Sequence, residues 1–360
     1  MKARVWLTLV AMLLGAPALA QWTTLPEMSA PRVDPLAAVD DLGRVFVFGG
    51  DDLVYVEQSA EMYDGAQWLA LSPMPAPLTN GAAAFADGAI FLAGGYDGAE
   101  LVDDLRLYDV ATDAWSTGAT VPVVRYGHTL DALDGALYLV GGGDEYDVSS
   151  AQVWRYDPTD DAWTRTADLN IARRYHGSAV LDGLLYVYGG IDANEPTPQH
   201  LASGEVYDPV NDEWTMIAAL PVAWWGGAAG ALDGEVLACH GVQDQAVSAA
   251  CWIYDPDDDA WTEGPAAAEP RYRVGSAAGP LFAVGGMRLG DFPEPLAIVE
   301  QYGELPADDD TADDDVVDDD DSFDDDAVDD DNDDDVDDDV IDDDDDAADD
   351  DDDDETDCGC

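Results

Sequence analysis

The segment LYLVGG at residues 137–142 joins an apolar run to a glycine doublet, and it is followed by Tyr156-Asp157 and Trp163. Related segments are VFVFGG at 45–50, IFLAGG at 90–95, LYVYGG at 185–190, VLACHG at 236–241 and LFAVGG at 281–286. Their last glycines lie 45, 47, 48, 51 and 45 residues apart. Self-similarity at this period indicates one structural unit repeated six times.

Each repeat predicts four short antiparallel strands. The first is rich in small residues, and in four repeats it ends in an Asp-Gly pair, which favours a type I′ hairpin because both residues accept positive φ. The apolar run is the second strand. The third carries a tyrosine and the fourth a tryptophan; these are Tyr63, Tyr108, Tyr156, Tyr207, Tyr254 and Tyr302, and Trp68, Trp115, Trp163, Trp214 and Trp261. A four-stranded sheet at this period is typical of a propeller blade.

The glycine doublet, the Tyr-Asp pair and the spaced tryptophan resemble the kelch repeat, over about 280 residues. Trp22 stands 27 residues before Gly49, as Trp115 stands 26 before Gly141, and no tryptophan follows Tyr302. We therefore expect an all-β, six-bladed kelch β-propeller over residues 21–305, closed by its N-terminal strand, which removes the free sheet edges.

Both ends of the chain differ from this body. Residues 1–20 resemble a secretory signal peptide, with a basic start, the apolar run Val5–Leu14 and Ala18-Leu19-Ala20 before the predicted cleavage site. Residues 306–360 form an Asp-rich tail that ends Cys-Gly-Cys, and its charge density predicts disorder. The chain thus resembles a secreted bacterial type of kelch protein, extracellular or at the cell surface, with the periplasm as the alternative compartment.

The strongly negative net charge of the chain argues against nucleic acid as a partner. The net charge is −67, and residues 307–360 hold 35 of the 80 acidic residues and none of the 13 basic ones, which leaves −32 for the rest. Nucleic acid is therefore not expected as a partner, because phosphate binding requires lysine and arginine. The apolar run at 5–14 is too short to span a bilayer. We expect no membrane insertion, and the oligomeric state stays open.

Two cysteines of the body fall on neighbouring predicted strands. Cys239 lies on strand two and Cys251 on strand three of the fifth repeat. Antiparallel neighbours bring their Cβ atoms within disulfide range, and an exported protein keeps such bonds. We predict a Cys239–Cys251 disulfide over the alternative of two buried thiols.

Arginine and aromatic residues concentrate in the connection from strand four to strand one. Six of the 13 basic residues lie there. We expect this connection to surround one channel mouth and to bind carboxylates or sugars through guanidinium groups and ring stacking; the alternative is that the arginines pair with nearby carboxylates. The predicted ligand-binding residues are Arg32, Arg125, Tyr126, Arg173, Arg174, Tyr175, Trp224, Trp225, Arg271, Tyr272 and Arg273. Of the adjacent Trp224 and Trp225, we expect at least one to be exposed. We expect His128 and His176 to be packed strand residues.

No catalytic constellation, phosphate-binding glycine loop or metal-ligand cluster is apparent, so we expect no cofactor and no metal site. The favoured hypothesis is a non-catalytic interaction module that binds a protein or an envelope glycan. The kelch resemblance supplies an alternative, a periplasmic sialic-acid mutarotase that uses an arginine and a carboxylate. A third hypothesis assigns weak, diffuse Ca²⁺ binding to the tail, which lacks an EF-hand loop; a self-repelling spacer is favoured over it.

Overall fold

The computed structural model describes residues 21–194 and 197–304. The predicted leader at 1–20 and the acidic tail, with its Cys358 and Cys360, lie outside the described residues. The described residues are organised in β-strands and turns, and they include no helix of the length and hydropathy needed to cross a bilayer. The all-β prediction is therefore confirmed for this part of the chain.

Six four-stranded antiparallel sheets follow one another along the chain. The chain begins with β1 (Trp22–Thr24), which joins the last of them. Sheet 1 contains β2 (Leu36–Val39), β3 (Val45–Phe48), β4 (Ala60–Tyr63) and β5 (Trp68–Ala70). Sheet 2 contains β6 (Ala82–Ala86), β7 (Ala89–Ala93), β8 (Leu105–Asp109) and β9 (Ala114–Thr117). Sheet 3 contains β10 (Thr129–Leu133), β11 (Ala136–Val140), β12 (Val153–Asp157) and β13 (Ala162–Arg165).

The later sheets carry short additional ribbons in their loops. Sheet 4 contains β14 (Gly177–Leu181), β15 (Leu184–Tyr188), β18 (Gly204–Asp208) and β19 (Glu213–Ile217), with the ribbon β16 (Ile191–Asp192) and β17 (Gln199–His200). Sheet 5 contains β21 (Ala228–Leu232), β22 (Glu235–Cys239), β25 (Cys251–Asp255) and β26 (Ala260–Gly264), with β20 (Trp224–Trp225), β23 (Val242–Gln243) and β24 (Ala246–Val247) beside it. Sheet 6 contains β27 (Gly275–Ala277), β28 (Leu281–Val284), β31 (Val299–Tyr302) and β1, with the ribbon β29 (Met287–Leu289) and β30 (Pro293–Pro295).

Strand β1 pairs with β31 in the last sheet, with Trp22 opposite Tyr302. In sheet 3 the corresponding tryptophan and tyrosine, Trp163 and Tyr156, are likewise direct partners. Trp22 therefore occupies the strand-four position that its spacing in the sequence predicts.

The Asp-Gly hairpins have the expected backbone. In the pair Asp134-Gly135 the φ angles are 51° and 73°, and the pairs at 87–88, 182–183 and 233–234 are also positive at both residues. A type I′ turn requires this combination. The hairpins lie at one end of the sheets, which we call the turn face, together with the turns between strands three and four.

The opposite end, the loop face, holds the loops between strands two and three and the connections between strands four and one. These two segments pair in every sheet, as at Tyr126 with Gly143 and Tyr272 with Met287. The glycine doublet makes the approach possible: a Cβ on Gly95 would stand 2.7 Å from the Thr79 carbonyl oxygen. A side chain is therefore excluded at this position.

A closed circuit of six backbone hydrogen bonds runs around the loop-face ends of the first strands. Each of six residues, all with positive φ, donates its N–H to the carbonyl oxygen of the corresponding residue in the preceding sheet, and the first sheet's residue donates to the sixth's. The N···O distances are 2.6–3.3 Å. The circuit residues are Asp34, Asn80, Gly127, Tyr175, Gly226 and Arg273.

Tryptophan and aspartate connect neighbouring sheets at the turn face. The Trp163 Nε1–H donates to the Ala119 carbonyl of sheet 2 (2.9 Å), and the Ala119 N–H donates to Asp161 (2.6 Å). Asp161 also accepts the Tyr156 hydroxyl hydrogen. The same pair of bonds joins sheets 1 and 2, 3 and 4, and 4 and 5. Trp22 and Trp68 instead bond to the carbonyls of Pro265 and Pro26, and proline has no N–H to offer an aspartate.

The predicted disulfide is confirmed in the structure. Cys239 and Cys251 are direct partners across β22 and β25, both are buried, and they form a disulfide bond. The bond lies in the apolar contact between sheets 5 and 6, beside Ala228 and Leu281. The disulfide therefore links β22 and β25, two strands that already pair and pack together.

We predict that Asp161→Gly lowers the denaturation midpoint, because the Ala119 N–H and the Tyr156 hydroxyl lose their acceptor while glycine keeps the positive φ. Chemical denaturation monitored by tryptophan fluorescence measures this. Asp134→Gly is the matched control, with the same φ sign in the same sheet, and it should change stability little. Equal losses in both variants would contradict the inter-sheet role of Asp161.

We also predict that the double variant Cys239→Ala/Cys251→Ala loses about 2–3 kcal/mol of stability, since the bond closes a loop with a sequence separation of 12 residues. Thermal unfolding with and without a reducing agent tests this: reductant should lower the midpoint of the wild type and leave the variant unchanged. A wild type that is insensitive to reductant under unfolding conditions would argue against the bond.

Candidate functional site

The candidate site is the loop face around the backbone circuit. The predicted residues do not all reach this surface. Three of the arginines are interior residues with 0% exposure, namely Arg32, Arg173 and Arg271.

These three arginines make the same contacts in sheets 1, 4 and 6. Arg173 donates from Nη1 to the carbonyls of Gly189 (2.7 Å) and Ser203 (3.1 Å), and from Nη2 to Glu205 (2.8 Å). Burial lowers the pKa of Arg173, and the Glu205 carboxylate opposes that effect. Arg32 pairs in this way with Glu61 and Arg271 with Glu300, both at 2.9 Å. The three guanidinium groups therefore hold strands and the glycine doublet together within one sheet, and they are not available to a ligand.

Two further arginines are paired with aspartates. Arg174 contacts Asp147 and the Tyr126 hydroxyl, and Arg273 forms an ion pair with Asp34 while Asp51 lies 3.7 Å away. Arg125 makes no salt bridge among the described residues; it donates to the Val124 carbonyl (3.0 Å). The loop face therefore offers little unpaired positive charge.

The aromatic residues, in contrast, are brought together. Tyr126, Tyr175, Trp225 and Tyr272 form an arc across sheets 3 to 6, with ring centroids 5.7, 5.9 and 5.7 Å apart. Each ring meets the next at a steep angle of 48–90°, which favours edge-to-face contact. We call these four residues the aromatic arc.

The two adjacent tryptophans have different roles. Trp224 is fully buried, and its Nε1–H donates to the His240 carbonyl (3.0 Å). Trp225 is half-buried within the arc, and its Nε1 has no hydrogen-bond partner among the described residues. Only Trp225 can therefore present part of its ring to a ligand.

Side chains of the backbone circuit lie across the channel mouth. The Tyr175 hydroxyl, from sheet 4, donates to Asn80 Oδ1 of sheet 2 at 3.0 Å. Burial raises the pKa of Asp34 to about 6, although the Arg273 guanidinium acts in the opposite direction. Sequence reasoning missed Asp34 and Asn80. The available signal was the recurrence of Asp, Asn and Gly, which tolerate positive φ, two positions beyond the aligned arginines.

His128 and His176 are buried, as predicted. His128 Nε2 lies 2.9 Å from the Ala93 carbonyl oxygen, and His176 Nε2 lies 3.4 Å from Thr129 Oγ1. Burial lowers the pKa of His128 to about 4 and that of His176 well below the usual value. Both imidazoles are therefore neutral at physiological pH.

Exposed apolar side chains concentrate in the loops of this face. Of the eleven exposed large hydrophobic residues in the described part of the chain, seven lie between strands two and three of sheets 1, 3 and 6. They are Leu53, Val54, Tyr55, Tyr146, Val148, Leu289 and Phe292. Within residues 21–194 and 197–304 no group of three or more His, Cys, Asp or Glu side chains could hold a metal ion.

Comparisons with known proteins agree with the repeat structure. Residues 119–279 match the model of the KLHDC2/KLHL20/DRC7 Kelch-repeats domain, and residues 77–122 match the Kelch motif. Among curated relatives, Kelch-like protein 15 of Danio rerio and of Homo sapiens are each 28% identical over 270 residues, which covers 67% of this chain and 44% of theirs. Kelch-like protein 40 of Mus musculus is 26% identical over 259 residues, covering 68% of this chain and 33% of its own.

The chain thus spans less than half the length of these curated relatives. The solved structure of YjhT is similar in fold, with a TM-score of 0.64 and 16% identity, and the match covers 75% of this chain and 95% of that one. The two adjoining family matches and the six sheets of like design lead to one conclusion: residues 77–279 of this chain consist of repeats of the kelch family.

Proposed function

We propose that this protein is a secreted or surface-exposed, non-catalytic interaction module whose partner, a protein or an envelope glycan, binds the loop face. The kelch family models and the Kelch-like relatives support the interaction-module type. In this proposal the six sheets are the blades of one propeller completed by β1. Export depends on the predicted leader, which lies outside the described residues.

The observation that carries the proposal is the position of apolar and aromatic surface. The aromatic arc lies at the centre of the loop face, and exposed residues such as Tyr55, Tyr146 and Phe292 stand on loops around it. Exposed apolar side chains that cluster on one face are a feature of interaction sites. Aromatic rings with a polar tip also contribute strongly to binding energy at such sites.

The charge of the loop face disfavours strongly acidic ligands. Arg174 and Arg273 are neutralised by aspartates, and exposed carboxylates occupy the loops of sheets 2 and 3, such as Glu100 and Glu145. A strongly acidic ligand would meet repulsion here. We therefore infer that binding depends on ring contacts and hydrogen bonds more than on guanidinium–carboxylate pairs, in contrast to the expectation from sequence.

The probes are an array of bacterial envelope glycans and a fraction of envelope proteins, from which the ligands bound by the wild type are identified. We predict that Tyr126→Ala/Tyr272→Ala lowers the affinity for these ligands at least tenfold. The reason is that truncating central aromatic anchors of a binding site costs about 1.4 kcal/mol or more. The control Leu42→Ala/Val210→Ala removes exposed side chains from the turn face. Equal retention by the aromatic variant and the wild type would refute the assignment of the loop face.

The alternative function is a sugar-acid mutarotase-like activity. One observation favours it: an arginine and a carboxylate, Arg273 and Asp34, stand together at the channel mouth beside Tyr175 and Asn80. Against it, the Asp34 carboxylate already occupies the guanidinium group that would hold the carboxylate of a sugar acid.

If this alternative holds, the protein should accelerate interconversion of sialic acid anomers, followed by NMR from freshly dissolved α-anomer. Asp34→Asn should then abolish the acceleration, because the amide can neither accept a proton nor pair with Arg273 as an ion. A rate equal to that in buffer alone would exclude the mutarotase.

A further inference from the structure

A cavity of about 320 Å³ lies along the first strands of the six sheets, at the centre of the ring that they form. Its lining is dominated by small apolar residues, such as Ala83, Ala229 and Ala277. We call this cavity the channel. At the loop face, the Tyr175–Asn80 and Arg273–Asp34 contacts border it. Its volume is at the lower end of the range of small-ligand pockets.

Polar groups within the channel wall cluster on sheets 3 and 4. Asp131 of β10 accepts a hydrogen bond from the Ser178 hydroxyl of β14 (2.8 Å), and Thr129 lies two residues before Asp131 on the same strand. All three residues line the channel and are half-buried. The second carboxylate oxygen of Asp131 is shielded and has no hydrogen-bond partner in the described structure.

The charge of Asp131 has no counterpart. Among the described residues it takes part in no salt bridge, and the one arginine that lines the channel, Arg273, is paired with Asp34. His128 and His176, which also line the channel, are neutral because burial lowers the pKa of each. Burial raises the pKa of Asp131 to about 6, so this carboxyl is still largely ionised at neutral pH. Asp131 is half-buried, so its ionised carboxylate loses part of its hydration, and a cation in the channel would compensate that loss.

We propose that the channel binds a small organic monocation, an alkylammonium compound, whose ammonium group pairs with Asp131 and whose carbon chain lies along the alanine-rich wall. An ammonium group has three donors, and Asp131 Oδ1 with the Ser178 and Thr129 hydroxyl oxygens supplies three acceptors on one side of the channel. The net charge of −32 in residues 1–306 raises the local concentration of any cation.

Other occupants fit these groups less well. A Ca²⁺ or Mg²⁺ ion requires six or more oxygen ligands, many of them charged, and the channel wall offers one unpaired carboxylate. An anion, including a sugar acid, would be repelled by Asp131 and would find Arg273 already neutralised. A neutral alcohol would leave the carboxylate uncompensated. The proposed ammonium site uses groups on β10 and β14 inside the channel rather than the exposed loops, so this inference does not depend on the proposed function.

The test is calorimetric titration of the full chain with n-butylamine in 0.15 M salt, beside 1-butanol and butyrate as neutral and anionic probes of similar size. The salt screens weak binding to surface and tail carboxylates. We expect a dissociation constant of about 1 mM for butylamine. Asp131→Asn, which keeps the shape and removes the charge, should weaken it at least tenfold.

Asp134→Asn is the matched control, because this aspartate is exposed on the turn face three residues further along and equally removes one negative charge. It should leave butylamine binding unchanged. Asp131→Asn should also unfold at the same or a higher temperature, which shows that the variant is folded. Equal butylamine binding by the two variants, equal binding of butanol, or no binding by the wild type at 50 mM butylamine would each overturn the proposal.

Discussion

The structure depends on the hydrogen bonds that pass from one sheet to the next at the loop-face ends of the first strands. A residue in the left-handed region directs its N–H toward the preceding sheet and its carbonyl toward the following one, and six such residues complete a circuit. Each bond contributes only about 1 kcal/mol net. Their cyclic arrangement fixes the angle between sheets, and the channel, the aromatic arc and the loop surface are all placed by that angle.

The residues that tolerate this backbone explain the chemistry of the channel mouth. Aspartate, asparagine and glycine, which adopt positive φ readily, fill four of the six circuit positions, Asp34, Asn80, Gly127 and Gly226. Tyr175 and Arg273 fill the other two at a higher conformational cost. Their side chains are the long ones that lie across the mouth, so the strained backbone and the polar cover of the channel are the same feature.

Much of the fold could be predicted from the sequence because its signals are local and repeated. Glycine doublets, Asp-Gly hairpins and the tyrosine–tryptophan spacing each indicate a backbone requirement within one sheet. Each recurs in four or five of the six repeats, which makes the assignment unambiguous. Trp22 could be placed because its spacing to the next glycine doublet matches that of the other repeats, although its partner strand is about 280 residues away.

The site was harder to predict because a guanidinium group suits a buried ion pair as well as a ligand. Burial of Arg32, Arg173 and Arg271 depends on a glutamate two residues before the tyrosine of the same repeat, at Glu61, Glu205 and Glu300. Where the arginine position holds Leu78, the glutamate position holds Arg106, which bonds to the Ala76 carbonyl instead. In the repeat of Arg125 the glutamate position holds Trp154, and Arg125 makes no ion pair among the described residues. An arginine accompanied by this glutamate in the same repeat is therefore a buried structural residue, whereas an arginine without it is not held in this way.

Pro26 and Pro265, which accept the tryptophan bonds on either side of sheet 6, affect where the six-sheet assembly is weakest. Sheets 1 to 5 are joined by a tryptophan bond and an aspartate bond at each turn-face contact. At the turn face of sheet 6, the described residues show the tryptophan bond to each neighbour without the aspartate bond. The outermost strand of sheet 6 is β1, which is three residues long and comes from the N-terminal part of the described chain. We therefore expect local opening to cost least at this seam, with its amides exchanging with solvent ahead of those of the other sheets. On this expectation β1 is the strand that detaches first when the protein is heated.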